Sequence, residues 1–304
     1  MTQASVKMPA WLDRGVLVYG APKSGTTLFQ NLLDGSGQLL AYPAELKLKN
    51  FVGHRNKVDD IVAFHKKSRI HSVKSVRFNR AKYAKLWTDA LARREHKSLG
   101  AFIRFDALAV QQAMDSCAVA PEIWCAKDVG GQTDRLLLNW RFMFPEGKAL
   151  FITRDPLMVT RAKINDQKRK ENALSLLRIV RHTLESIRVV VAQAKYLNDP
   201  YVHILAYEDL VSDTAGTMAK VASFLGIRYS SVFETPTIFG EPQVVSTSSR
   251  KTTEVFASKE SWTNGLTARE RWIVSWTCRI ASLHPRYMID YQKLRARIGH
   301  MRAG

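Results

Sequence analysis

The stretch GVLVYGAPKSGTTLFQNLL, residues 15–33, sets the architecture. Its first part, VLVYG (16–20), is a β-branched and aromatic run with the character of a buried strand. GAPKSGTT (20–27) then spaces Gly20 and Gly25 as a phosphate-binding loop does, and LFQNLL continues as an apolar helix. A strand feeding a helix N-terminus through such a loop presents backbone N–H groups and the positive end of a helix dipole to an anion. Gly20 and Gly25 supply the backbone freedom to wrap an oxyanion, and Thr26 and Thr27 add hydroxyls. The lysine that clamps β- and γ-phosphates in nucleoside triphosphatases is missing, because Thr26 stands in its place. Lys23 lies inside the loop instead.

Beyond this unit, EIWCAKD (122–128), ALFITRD (149–155) and YVHILAYED (201–209) repeat the strand pattern. Helical patterns run from Ala81 to Arg94, Leu174 to Leu197 and Thr214 to Leu225, the last stopped by Gly226. Thr267-Ala-Arg-Glu270 is a capping box opening a final helix through Trp272, Trp276 and Ile280. Alternating strands and helices predict an α/β protein with a central parallel sheet covered on both faces. No repeat, low-complexity tract or Pro/Gly-rich linker divides the chain, so a single domain over 1–304 is expected.

With 46% hydrophobic residues a sizeable core is expected, and disorder is not. A formal charge of +19 implies polyanionic company. Cys117, Cys125 and Cys278 form no CxxC pair, which argues against a disulfide framework or a zinc site and fits a reducing compartment. The N-terminus has no apolar signal-like stretch, and no run of 18 apolar residues occurs. A cytoplasmic protein is expected.

Pro22-Lys23-Ser24-Gly25-Thr26-Thr27 resembles the 5′-phosphosulfate loop of the sulfotransferases, whose donor is 3′-phosphoadenosine 5′-phosphosulfate (PAPS). Four further stretches follow in the family's order. Arg154-Asp155-Pro156 after ALFIT resembles the motif whose arginine binds the 3′-phosphate, a role suited to a planar guanidinium. YEDLVSDTAGTMAKVASFLGI (207–227) resembles the Tyr-Glu-Asp-Leu segment and its helix. PTIFGEPQVVSTSSR (236–250) and ESWTNGLTARE (260–270) resemble stretches of bacterial and carbohydrate-type members. The resemblance spans about residues 15–291, while 52–120 matches no motif. It implies a three-layer α/β/α sandwich like that of P-loop NTPases. One departure is Ala162, where the family usually places a serine on the 3′-phosphate; Thr160 and Lys163 stand as substitutes.

What the resemblance implies chemically is in-line transfer of a sulfuryl group from PAPS to an acceptor hydroxyl or amine, without a metal. Pro22, Lys23, Ser24, Gly25, Thr26 and Thr27 would hold the 5′ end, with Lys23 neutralising the leaving oxygen. Arg154 would hold the 3′-phosphate, Tyr207 would line the adenosine pocket, and Arg250 and Lys251 would complete the 3′ site. Glu45, in AYPAELKLKNF, sits where the carbohydrate and tyrosylprotein branches place their general base. The segment AKDVG supplies Lys127 but has Val129 where small-molecule members carry histidine, which favours Glu45 and disfavours a phenol or steroid acceptor.

Eight Lys or Arg and no acid lie between His65 and Lys85, KINDQKRK (163–170) forms a second cluster, and KLRARIGHMR a third. One-signed charge of this kind points to an anionic glycan or glycolipid acceptor, with peripheral contact to an anionic inner-membrane surface as a further expectation. No nucleic-acid motif accompanies it. Two rival readings stay open from sequence: an ATP- and Mg²⁺-dependent P-loop kinase, and a non-catalytic nucleotide- or polyanion-binding protein.

Overall fold

A computed structural model describes residues 8–48, 70, 73, 75–92, 98–114, 120–170, 174–243, 245–246, 251–252, 254–257 and 260–300; for 245–246 and 251–252 only the backbone is considered. Five strands form one sheet in the order β2-β3-β1-β4-β5: β1 Gly15–Gly20, β2 Leu39–Glu45, β3 Ile123–Val129, β4 Lys148–Thr153 and β5 Val202–Ala206. Every pairing in it is parallel. Parallel strands need crossovers, and the helices that supply them cover both faces.

Alternation along β1 shows how the layers form. Val16 and Val18 enter a core with Leu28, Phe29, Leu32 and Leu33 of α1 (Thr26–Leu33), joined by Met218, Val221 and Leu225 of a later helix, Thr214–Leu225. Leu17 and Tyr19 face the opposite core, with Trp124, Trp140, Phe144 and Phe151. That second core also takes residues of α2 (Arg80–Ala92), α3 (Leu99–Ala113) and α4 (Thr133–Met143). The expected three-layer sandwich is the fold observed.

Three differences from the sequence expectation have local causes. β2 escapes pattern reading because Pro43 interrupts LLAYPAE, and its pairing with β3 shifts between Ala41 and Glu45. The run 201–209 ends its strand at Ala206, and Tyr207–Ser212 is a helix, α7, with Glu208 and Asp209 in its first turn. The stretch without motifs contains α2, expected from Ala81 to Arg94, and also α3, which no pattern reading anticipates; a buried carboxylate joins the two. Asp106 accepts hydrogen bonds from Tyr42 Oη at 2.6 Å, Trp87 Nε1 at 3.0 Å and Tyr83 Oη. This network ties α2 and α3 to β2, the strand that ends on Glu45.

Among the helices that follow β4 are α5 (Pro156–Lys168), α6 (Leu176–Ala194), α8 (Thr214–Leu225), already met above, and α9 (Ala268–Ala281). α9 opens on the expected capping box, with Thr267 Oγ1 accepting from Glu270 N at 3.2 Å and Glu270 Oε2 from Thr267 N at 2.8 Å. The last helix, α10 (Tyr291–His300), sends Tyr291, Leu294 and Ile298 into the larger core. The Pro-Thr…Gly-x-Pro landmark also braces the fold, since Asp34, just past α1, accepts from Thr237 Oγ1 at 2.7 Å and Gly240 N at 2.6 Å. Of the cysteines, Cys125 is buried in β3 and Cys278 half-buried in α9, both as free thiols, while Cys117 lies outside the described residues. No helix among the described residues is long and apolar enough to cross a membrane.

Candidate active site

The carboxyl ends of all five strands converge on one edge of the sheet, where ligands bind in open α/β folds. Glu45 ends β2, Lys127 lies near the end of β3, and the loop 21–25 follows β1. Arg154 follows β4 and Tyr207 follows β5.

The loop is shaped by backbone that only certain residues adopt. Gly25 has φ 101°, and Lys23, a non-glycine, has φ 73°. A Cβ on Gly25 would lie 2.4 Å from Tyr207 Cδ2, and one on Gly20 would lie 2.6 Å from the Ile152 carbonyl oxygen. Both glycines are therefore required by close approach. Ser24 is buried, its hydroxyl folded under the loop against Gly20 with no hydrogen-bond partner among the described residues. Thr26 is buried and Thr27 is exposed at the start of α1.

Two groups of side chains flank this loop. On the β3 side Lys127 Nζ donates to Thr27 Oγ1 at 2.9 Å, and Glu45 is the register partner of Lys127 across the β2–β3 pairing. The register shift after Ala41 sets that alignment, and Leu46 N donates to the Lys127 carbonyl at 3.0 Å to hold the chain there. Deeper down, buried Asp128 accepts from Val129 N at 2.7 Å and from Leu48 N. Tyr19 Oη donates to Gly130 O at 2.7 Å, and burial pushes that phenol above its ordinary range.

On the β4–β5 side the Arg154 guanidinium stacks 4.0 Å from the centre of the Tyr207 ring. Its Nη1 donates to the Lys23 carbonyl at 3.0 Å. Tyr207 is thus held between Gly25 and Arg154, and Arg154 Nε is buried without a partner among the described residues. Asp155 caps α5 by accepting from Leu157 N at 2.8 Å, while its own N–H donates to Glu208 at 3.3 Å. That arrangement makes Asp155 the N-cap of α5.

Lys23 is turned toward α5, its ammonium 3.1 Å from Asp166. Burial alone would raise the Asp166 carboxyl, but hydrogen bonds from Lys170, Lys23 and Arg169 outweigh it and hold the pKa at about 2. Asp166 is the site neighbour that sequence reading misses; its one signal is an acid set among the bases of KINDQKRK. That cluster is largely neutralised internally. Lys163 donates to Glu185 at 3.0 Å, Lys168 to Glu270 at 2.6 Å, and Arg169 and Lys170 to Asp166. Burial lowers the Lys163 ammonium despite Glu185, and burial and nearby Lys163 lower His182. The two substitutes considered for the serine absent at Ala162 both point inward: Thr160 donates to Pro156 O at 2.7 Å, and Lys163 is buried on Glu185. Arg250 lies outside the described residues, and of Lys251 only the backbone, in the two-residue strand Lys251–Thr252, is described.

The loop and the α1 N-terminus together form a cradle suited to an anion, with the Arg154 guanidinium on its far flank. A sequence model of the sulfotransferase family matches residues 15–231. The chain is similar to the sulfotransferase domain of the Synechococcus PCC 7002 olefin synthase at 16% identity and TM-score 0.53, over 90% of this chain and 98% of that one. It also resembles a sulfotransferase from Alicyclobacillus acidocaldarius, with 12% identity and TM-score 0.48 over 93% and 98% of the two chains. Mouse sulfotransferase SULT7A1, solved with PAP, aligns at 10% identity and TM-score 0.49 over 96% and 90%. A search of curated proteins gave no match.

Proposed function

The chain belongs to the sulfotransferase family, and we propose that one domain spanning 1–304 transfers a sulfuryl group from PAPS to a hydroxyl or amine. The observation that carries this reading is the placement of Lys127 on Thr27 with Glu45 beside it, at the mouth of a loop whose other flank is Arg154 on Tyr207. A base, an anion cradle and a cation for the far phosphate therefore share one edge. The packing of α10 into the larger core supports the single-domain reading.

In the proposed reaction the 5′-phosphosulfate lies over the loop amides and the α1 N-terminus, beside Thr26 and Thr27. Arg154 takes the 3′-phosphate through its fork of donors, and the Tyr207 ring borders the adenosine. The acceptor oxygen or nitrogen attacks sulfur in line as the bond from sulfur to the bridging 5′-phosphate oxygen breaks. Glu45 receives the acceptor proton; Lys127 and Lys23 balance charge on the sulfuryl oxygens and the leaving phosphate. The products are the sulfated acceptor and adenosine 3′,5′-bisphosphate. Lys23 reaches this position by leaving Asp166, a surface exchange between two anions.

The acceptor we favour is an anionic glycan or glycolipid, on the strength of the +19 charge and of Glu45, not a histidine, at the mouth. Replacement of Glu45 by Gln tests the assignment: turnover falls while bisphosphate affinity stays. Unchanged turnover removes Glu45 from the reaction. An ATP kinase is disfavoured because Thr26 stands where the triphosphate clamp needs lysine.

A further inference from the structure

α9 carries apolar residues on two faces, which the catalytic reading does not use. Ile273, Val274, Thr277 and Ala281 are buried, and Ile273 and Val274 pack with Ile164 of α5 and Ile179 of α6. An adjoining face exposes Trp272 at 62%, Trp276 at 54%, Ile280 at 47% and, in the turn beyond, Leu283 at 83%. The two indoles stack with centroids 5.9 Å apart. At about 100° per residue these four positions fall within a stripe roughly 80° wide. A water-facing helix ordinarily covers such a stripe with charge, and indoles concentrate at bilayer interfaces.

Charge decides what covers it. Arg269, Arg271, Arg279 and Arg286 are exposed along the same helix and turn, and every exposed residue from Ala268 to Ile289 is neutral or basic. Arg269 and Arg279 share the indole face by helical spacing. A second copy would bring the same arginines, on a chain of +19, against each other. An anionic bilayer complements both features: lipid phosphates for the guanidiniums, and the headgroup–acyl boundary for the indoles.

We propose that the Trp272–Trp276 face of α9 seats this protein on an anionic membrane surface. The surface lies one helix from the candidate site: Glu270 in the first turn of α9 pairs with Lys168 of α5, and α5 also carries Asp166, the partner of Lys23. Docking there holds the loop near the bilayer. Such seating depends neither on the acceptor's identity nor on the sulfotransfer reaction.

The test uses the full chain and vesicles of phosphatidylcholine alone or mixed with phosphatidylglycerol. Wild type should sediment with the mixed vesicles only, release with salt, and shift its tryptophan emission to the blue. Trp272→Ser/Trp276→Ser should lower the partition coefficient by roughly tenfold or more. Arg269→Gln/Arg279→Gln should do the same, at about one kcal/mol or fivefold per arginine. Both variants should keep the wild-type melting temperature and bisphosphate affinity, since these side chains face water. Equal binding to both vesicle types, no binding, or binding indifferent to the indoles overturns the proposal. So does a wild-type dimer that the indole variant converts to monomer, which assigns the face to a second copy.

Discussion

Gly25→Ala is the sharpest perturbation of the loop, because two independent costs fall on one methyl group. The first is backbone strain: φ at Gly25 is 101°, where a residue with a Cβ costs about 1–3 kcal/mol. The second is a collision, with the new Cβ 2.4 Å from Cδ2 and 2.8 Å from Cε2 of Tyr207. The ring has no easy retreat, since Arg154 lies over it at 4.0 Å and donates onward to the Lys23 carbonyl. Overpacking of this kind costs about 1–3 kcal/mol, so the sum is about 2–6 kcal/mol. At about 2 °C per kcal/mol for a chain of this size, calorimetric melting should fall by roughly 4–12 °C. Tyr207→Ala in the same chain removes the collision but not the strain. The double variant should therefore recover about 1–3 kcal/mol relative to additivity. A Gly25→Ala protein that melts as wild type, or strict additivity with Tyr207→Ala, refutes this loop geometry.

Other outcomes follow from single contacts. Glu45→Gln should lower sulfuryl turnover by roughly 10²–10⁴ with bisphosphate affinity unchanged in calorimetry. Asp106→Ala strands the donors of Tyr42, Tyr83 and Trp87 in the core, so denaturant unfolding should show a loss of about 3–5 kcal/mol. The Asp166 carboxyl is depressed on folding, so its contribution is present above its ordinary range near pH 4 and is lost as pH falls toward about 2. Asp166→Asn should flatten the wild-type decline of melting temperature across that window, and an unchanged decline assigns it to other carboxylates. Thr267→Ala should cost about 1 kcal/mol in thermal melts, by opening the cap of α9.

Local grammar carries far in this chain. The run 15–33 specifies strand, anion loop and helix, and the arginine after β4 is found through the resemblance of the Arg-Asp-Pro that follows ALFIT. Glu45 is nominated by the family resemblance, but its alignment with Lys127 depends on a pairing shift around Pro43 that no periodicity announces. The Lys23–Asp166 pair joins residues far apart in the chain, and only the packing of α5 beside the loop brings them together. Charge counting overstates the basic cluster at 163–170 for the same reason: sequence supplies signs, while Glu185, Glu270 and Asp166 cancel them in space. Asp106 is silent in the sequence because a buried carboxylate is identified by its three donors, which come from two other elements.

Everything proposed for the site depends on the loop and Arg154 together holding a nucleoside with a phosphate at each end. The decisive experiment is isothermal calorimetry of the full chain with adenosine 3′,5′-bisphosphate, adenosine 5′-monophosphate and ATP with Mg²⁺, on wild type and Arg154→Ala. The bisphosphate should bind best to wild type, and Arg154→Ala should erase its advantage over the monophosphate, a loss of roughly 1.5–3 kcal/mol for a charge-assisted contact. Preference for ATP with Mg²⁺, or a bisphosphate advantage that survives Arg154→Ala, contradicts that assignment.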